Sequence, residues 1–323
     1  MSYKNSIIIT GGTNGMGYHA ALKIAKAHPD YLVVVASRSD KNHAADTINR
    51  TLGQSNTVFM ALDLGKPANV RQFARDWIAD KTKPQIQALV MNAALQFPTT
   101  LHLTDEGMEK TFAISHAGHA ILFHLLCPYL ATGARIVITS SGTHDPAQKS
   151  GLPDAEYTTA EELAYPPRSK LDLPGRKRYS TTKLCNLLWA YALAQHLAER
   201  APERRITVTA MDPGLMPGTG LAREGSAVER WLWNSVLPHV MGLLRIIFNP
   251  NVHSPAESAA ALARLAVSPD VEGVTGKYFE GMKEIKSSKD SYVKSKQDDL
   301  WEWTVKYAAE GDAQQAERFQ SLK

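Results

Sequence analysis

The stretch that most restricts the fold is I-I-I-T-G-G-T-N-G-M-G, Ile7 to Gly17. Three β-branched apolar residues in a row suit a short strand buried on both faces. The glycines at 11, 12, 15 and 17 end that strand in a sharp turn, and a helical apolar pattern follows from Gly15 to about His28. Strand, glycine turn and helix in that order put free backbone N–H groups and the positive end of a helix dipole where a pyrophosphate binds. The simpler alternative is a plain strand–helix turn. On the first reading Gly11, Gly15 and Gly17, with Thr13, Asn14 and Met16 between them, line a dinucleotide site.

The alternation continues along the chain. Tyr31–Ala36, Val58–Leu62, Ile86–Met91, Arg135–Thr139 and Ile206–Met211 are further apolar runs separated by helical patterns, and Lys277–Phe279 reads as a last strand. Six or seven such strands predict an α/β, doubly wound parallel sheet in one domain spanning 1–323. Two segments are longer than ordinary loops. Residues 142–178, rich in proline and charge, read as an active-site loop insertion. Residues 214–254 read as a helical substrate lid, placed before the last helix and strand. Both follow carboxyl ends of strands, the edge where such sheets bind ligands.

Charge and cysteine usage narrow the function class. The net charge of +4 arises from 36 basic and 32 acidic residues without a block of one sign, so no nucleic-acid partner is expected. Residues 1–6 are too short and polar for a signal peptide. Cys127 and Cys185 sit in apolar helical pattern and read as buried, reduced thiols, which predicts a cytoplasmic location. The apolar-aromatic stretch Trp231–Phe248 carries Asn234, Pro238, His239 and Arg245, too many breaks for a spanning helix. Pro238 also argues against a core helix. Two short amphipathic pieces hinged at Pro238 fit a lid, one that also touches a membrane surface peripherally through 231–248. Its Trp231, Trp233, Leu237, Met241 and Phe248 suggest a bulky lipophilic substrate.

The second strand ends V-A-S-R, Val35 to Arg38. An acid there would accept from ribose hydroxyls and repel a 2′-phosphate. Ser37 and Arg38 favour the phosphate, and so NADP(H), with a solvated arginine as the alternative. Asp63 and Leu64 close the third strand, where Asp63 either meets the adenine or caps the next helix.

Tyr179 and Lys183 stand four residues apart in R-Y-S-T-T-K, on one face of a predicted helix. A free phenol titrates near pH 10, and a fixed ammonium beside it favours the phenolate. The pair can thus pass a proton to or from a substrate oxygen, while Lys183 also reaches a cofactor ribose. Alone, this spacing is common on solvated helices.

With both elements in one chain, residues 5 to about 290 resemble the short-chain dehydrogenase/reductase family and its Rossmann fold. Thr10, Gly11, Gly15 and Gly17 fit its T-G-x-x-x-G-x-G, and Tyr179 and Lys183 its Y-x-x-x-K. I-V-I-T-S-S, Ile136–Ser141, resembles the strand ending in the catalytic serine, which implies that Ser141 donates to the substrate carbonyl. Asn92 and Ala93 in M-N-A-A resemble N-N-A-G, from which Met91 and Ala94 depart. Pro213-Gly214 resembles the turn at the nicotinamide. S-H-A-G-H (Ser115–His119) and G-K-Y-F (Gly276–Phe279) are similar to segments of retinol dehydrogenases and protochlorophyllide reductases. Ser115 stands where those relatives carry the proton-relay asparagine, which implies a catalytic place for it. Leu215 replaces a cysteine that follows the turn in the pigment reductases, which argues against light-driven chemistry.

Together the resemblance, Arg38 and the lid residues imply an NADP(H)-dependent oxidoreductase interconverting a carbonyl and an alcohol on a bulky lipophilic substrate, with a homo-oligomer as a further expectation. Carbon–carbon double-bond reduction and a non-catalytic cofactor sensor are the alternatives. His116, His119 and His124 share one helix without an acid or cysteine at ligand spacing, so helix packing or a subunit face is expected and no metal. Arg176-Lys177-Arg178 reads as a solvated loop in preference to an anion-attracting patch.

Overall fold

The computed structural model describes residues 3–220, 224–247 and 249–322. The first half alternates strand and helix: β1 (Asn5–Thr10), α1 (Gly15–Ala27), β2 (Tyr31–Ser37), α2 (Ala44–Leu52), β3 (Thr57–Ala61), α3 (Pro67–Ala79) and β4 (Ile86–Met91). A short turn, α4 (Lys110–Phe112), runs through a π-turn at Ala113–Ala117 into α5 (Gly118–Leu126), followed by β5 (Leu130–Thr139). Next come α6 (Ala160–Ala164), the long α7 (Gly175–Arg200) and β6 (Thr207–Asp212). The lid region holds α8 (Ala227–Trp231) and α9 (Met241–Ile247). The chain then forms α10 (Pro255–Val267), β7 (Lys277–Glu280), β8 (Lys283–Ile285), α11 (Lys294–Ala308) and α12 (Ala313–Ser321).

The sheet has eight strands in the order β3-β2-β1-β4-β5-β6-β7-β8, parallel except for β8. Ile7, Ile8 and Ile9 are all fully buried because the sheet is covered on both sides. Ile8, Val34, Leu89 and Ile136 face a core shared with α3, α5, α7 and α11. Ile7, Ile9, Val35 and Val137 face the core under α1, α2 and α10. The strand order reverses between β1 and β4, which opens a crevice at their carboxyl ends.

Three expectations need correction. The antiparallel β8 was not anticipated; its three residues, Lys-Glu-Ile, are too few and too polar to carry a strand pattern. The lid is followed by more than one helix and strand, since β8, α11 and α12 also come after it. The loop insertion ends at Pro174, because α7 begins at Gly175 and places Tyr179 in its second turn. α7 is buried nearly all round, including its polar Ser180, Thr181, Thr182 and Lys183, because α11 packs over its outer face.

Candidate active site

The glycine turn forms a cradle. A Cβ on Gly17 would lie 2.3 Å from the carbonyl oxygen of Gly11, so only glycine lets α1 start this close to β1. Gly15 adopts φ +55°, and a Cβ there would meet only Thr219, at 4.0 Å, which leaves open space above the turn. Asn14 makes no side-chain cap, and the first turn of α1 carries no acid. These free N–H groups and the unopposed dipole fit a dinucleotide pyrophosphate. The Thr10 hydroxyl ties the turn to the next strand: it accepts from Asn92 N at 2.9 Å and Ala93 N at 3.0 Å. Its own hydrogen then faces His119 Nε2 at 2.8 Å, and His119 Nδ1 donates to Ser115 O at 3.3 Å. Asn92 Nδ2 donates to Thr10 O at 2.8 Å.

At the end of β2, Ser37 and Arg38 line the same cavity. The next acid along the chain, Asp40, accepts from Ala44 N at 2.7 Å at the start of α2. Asp63 does not cap α3, whose N-cap is Lys66; its Oδ1 accepts from Gly65 N at 3.1 Å, and with Leu64 it lines the cavity.

Tyr179 and Lys183 meet as the spacing requires. The ammonium sits 5.4 Å from the centre of the phenol ring and donates to Thr139 O at 3.1 Å. Ser140 Oγ donates to Lys183 O at 2.8 Å, locking α7 to the end of β5. Ser141 turns into the cavity, and its carbonyl accepts from His144 Nδ1 at 2.6 Å. The expected pull of Lys183 on the phenol is not what the site produces. Burial and the negative charge of Asp212 push the Tyr179 phenol well above its ordinary value, against a hydrogen bond with Ser141. Burial lowers Lys183 to about 8, with Asp212 opposing. Asp212 stands immediately before the Pro213-Gly214 turn and belongs to no motif of its own. Its signal was its identity: an acid between an apolar strand and that turn.

The cavity measures about 600 Å³, within the range of sites for drug-sized ligands. Gly11, Thr13, Asn14, Gly15, Met16, Gly17, Asn92, Ala93, Pro213 and Gly214 line it with the residues above. The lid closes one side with Met216, Leu232, Trp233 and Leu237. Its neck is narrow: Leu215 N donates to Asn251 O at 2.8 Å and His253 N to Leu215 O at 2.9 Å. Pro238 lies in a short 3₁₀ turn between α8 and α9, where the helix breaks. Trp231 faces outward and Met241 does not reach the cavity, while Phe248 lies outside the described residues.

Ser115 is not brought to the cavity. It is buried in the π-turn, where its Oγ accepts from Leu95 N at 3.4 Å. The other amide near Lys183 is Asn186, whose Nδ2 shares Thr139 O at 3.1 Å. His116, His119 and His124 are packing residues; His116 meets Asn186 at 3.2 Å, and His124 stacks on Phe319. Arg176, Lys177 and Arg178 are not a solvated loop. They form the first turn of α7, pairing with Glu229, with Glu156, and with the carbonyls of Lys170 and Leu171. Arg178 is buried by those contacts.

The short chain dehydrogenase family profile matches residues 5–153. A WW domain-containing oxidoreductase of Danio rerio is 30% identical over 275 residues, covering 84% of this chain and 61% of its own length. The chain therefore spans less than two thirds of that relative. A polyprenol dehydrogenase of Danio rerio is 30% identical over 91% of this chain and 83% of its own. Among solved structures, the angucycline C-6 ketoreductase LanV with bound NADP superposes with TM-score 0.60 at 20% identity, covering 87% of this chain and 96% of that one. The chain belongs to the short-chain dehydrogenase/reductase family of oxidoreductases, close to its retinol dehydrogenase-like branch.

Proposed function

We propose that this protein is an NADP(H)-dependent enzyme that reduces the carbonyl of a bulky lipophilic compound to an alcohol, or runs the reverse. The observation that carries the reading is the convergence of Tyr179, Lys183 and Ser141 on the cavity that also holds the glycine turn. The nicotinamide, when bound, supplies or accepts the hydride. Tyr179 donates its phenolic proton to the substrate oxygen, and Ser141 holds that oxygen by a hydrogen bond. Lys183, anchored on Thr139 O, holds a positive charge beneath the phenol and orients the ribose. A phenol kept protonated by burial suits a proton donor, which favours reduction.

Arg38 supports the choice of NADP(H), since Asp40 is already engaged at the start of α2. The apolar lid lining supports a lipophilic substrate, as does likeness to a relative named for a polyprenol. The two buried free cysteines support a reducing compartment. Among the described residues no helix is long and apolar enough to cross a membrane. The outward face of the lid exposes Val228, Trp231, Leu243, Ile246 and Ile247, and we assign a peripheral membrane contact to it. Co-sedimentation with phosphatidylcholine vesicles checks that contact, and no sedimentation removes it.

A panel of aldehydes and ketones of graded size, followed by NADPH fluorescence, tests the function. Turnover should rise with apolar bulk and prefer NADPH to NADH. Product masses and alcohol assignment separate carbonyl from carbon–carbon double-bond reduction. No NADPH-dependent turnover across the panel would refute the reading.

A further inference from the structure

Asp212 is an acid where the local structure does not require one. It ends β6, is 2% exposed, and lines the cavity beside Tyr179 and Lys183. Its carboxylate joins three separate pieces of the site. Gly214 N donates to Oδ1 at 2.9 Å, on the turn that follows. Asn251 Nδ2 donates to Oδ2 at 2.7 Å, on the neck of the lid. The main-chain N–H of Gly142, directly after Ser141, is the third donor. Burial pushes this carboxyl up, and the three donated hydrogen bonds oppose that rise; the two main-chain partners can only donate, so they match an ionised carboxylate better than a protonated one.

The charged and titratable groups around it come from every neighbouring element. Tyr179 and Lys183 lie on α7, His144 follows β5, His253 follows the lid, and Tyr278 and Glu280 lie on β7. His144 is held neutral by burial, and its Nε2 accepts from Ser288 N at 3.0 Å. Burial likewise disfavours charge on His253. Tyr179 and Lys183 both feel the charge of this carboxylate.

We infer that Asp212 is a positioning residue whose carboxylate acts on Tyr179 and Lys183 across the cavity they share, while its hydrogen bonds hold the serine loop, the turn and the lid neck in one register. The inference rests on the reading of Tyr179 as the proton donor. A carboxylate near a phenol disfavours the phenolate, and near an ammonium it favours the charge. Burial alone would weaken both the ammonium and the phenolate. Asp212 adds to that effect on the tyrosine and opposes it on the lysine, so the pair enters the reaction as phenol and ammonium.

The sign of the test follows. Reduction needs the phenol, so its rate falls as pH rises through the phenol's titration. Removing the negative charge moves that fall to lower pH. Alcohol oxidation needs the phenolate and should begin at lower pH by the same displacement. Asp212→Asn keeps the size and removes the charge; Asp212→Glu keeps the charge.

The experiment measures kcat and kcat/KM against pH for reduction and oxidation in wild type and both variants, with NADPH affinity and thermal melting alongside. The expected result is a displacement of both limbs by about one pH unit or more in Asp212→Asn, with the limbs kept in Asp212→Glu. Asn251→Ala removes the lid contact together with one of the three donors to the carboxylate, and should raise KM and move the limbs by less than Asp212→Asn does. Coincident limbs in wild type and a folded Asp212→Asn overturn the inference. If Asp212→Asn does not fold, Asp212→Ser takes its place, and failure of both neutral variants overturns the electrostatic role in favour of a purely structural one. Tyr179→Phe serves as the control. Full activity there refutes the underlying reading, whereas an inactive Tyr179→Phe with unmoved Asp212→Asn limbs refutes only the inference about Asp212.

Discussion

Replacing Tyr179 with phenylalanine removes one oxygen and leaves the ring. The ring is 6% exposed and lies 5.4 Å from the Lys183 ammonium, so its packing survives the change. The lost hydroxyl gives up its hydrogen bond with Ser141, worth about 1 kcal/mol of stability. Lys183 keeps its bond to Thr139 O at 3.1 Å, and the glycine turn is untouched, so NADPH affinity should hold within a few-fold. Proton transfer, by contrast, has no substitute donor at that point. General acid–base catalysis contributes roughly a hundred- to ten-thousandfold, or about 2.7–5.4 kcal/mol of barrier. The two scales separate cleanly, because about 1 kcal/mol of folding energy does not empty the folded state of a protein several kcal/mol stable. The assay is single-turnover NADPH oxidation with an identified carbonyl substrate, with NADPH titration and a thermal melt on the same preparation. A loss of about a hundredfold or more in turnover at near-unchanged NADPH affinity is expected. Near-full turnover, or a loss explained by weaker NADPH binding, refutes the reasoning.

Arg38→Asp should reverse the cofactor preference, because a charge-assisted bond to a 2′-phosphate is worth about 1.5–3 kcal/mol, or roughly ten- to a hundredfold in affinity; titration of both cofactors checks it, and equal NADPH affinity removes Arg38 from the site. His124 is buried, neither ring nitrogen is hydrogen-bonded among the described residues, and burial depresses it to about 3, below the ordinary histidine value near 6.5. Below pH about 6.5 the unfolded chain takes up this proton and the folded one does not, so stability falls as pH drops towards 3, by up to about 1.4 kcal/mol per pH unit. His124→Leu should flatten that slope in urea melts at pH 7 and pH 5, and an unchanged slope counts against it.

The parallel sheet was legible because its strands are buried on both faces and so read as unbroken apolar runs, as Ile7–Ile9 and Tyr31–Ala36 do. The glycine turn was legible because Gly17 has no alternative at 2.3 Å from Gly11 O. Tyr179 and Lys183 were legible because helical spacing converts directly into one face. What failed was whatever depends on partners distant in sequence. The histidines of α5 give no local sign that Thr10, Asn186 and Phe319 will meet them. Arg178 looks like a surface charge until the carbonyls of Lys170 and Leu171 wrap it. Ser115 sits in a π-turn with its hydroxyl on Leu95 N and outside the cavity lining, a placement that no local pattern announces. The direction of the Tyr179 shift also eluded the sequence, because a single helix displays Lys183 and conceals Asp212, which arrives from β6.

The site depends on the carboxyl-terminal half of the chain, which supplies Tyr179, Lys183 and Asp212 to the cavity. The profile match stops at residue 153, before Tyr179, Lys183 and Asp212. Residues outside the cavity lining brace the loop that carries Ser141 and the segment before α7. His144 Nδ1 donates to Ser141 O at 2.6 Å while its Nε2 accepts from Ser288 N at 3.0 Å, so one neutral ring spans from the serine to the segment after β8. Asp299 on α11 accepts from Tyr157 OH at 2.6 Å and from Ala160 N at 2.8 Å, holding the loop that precedes α7. Trp303 on α11 donates to Glu161 at 2.7 Å on that same loop. A buried tyrosine, lysine and aspartate hold their mutual charges only if water stays out and the distances stay fixed. The segment after β8 and α11 supply that constraint through groups that do not line the cavity.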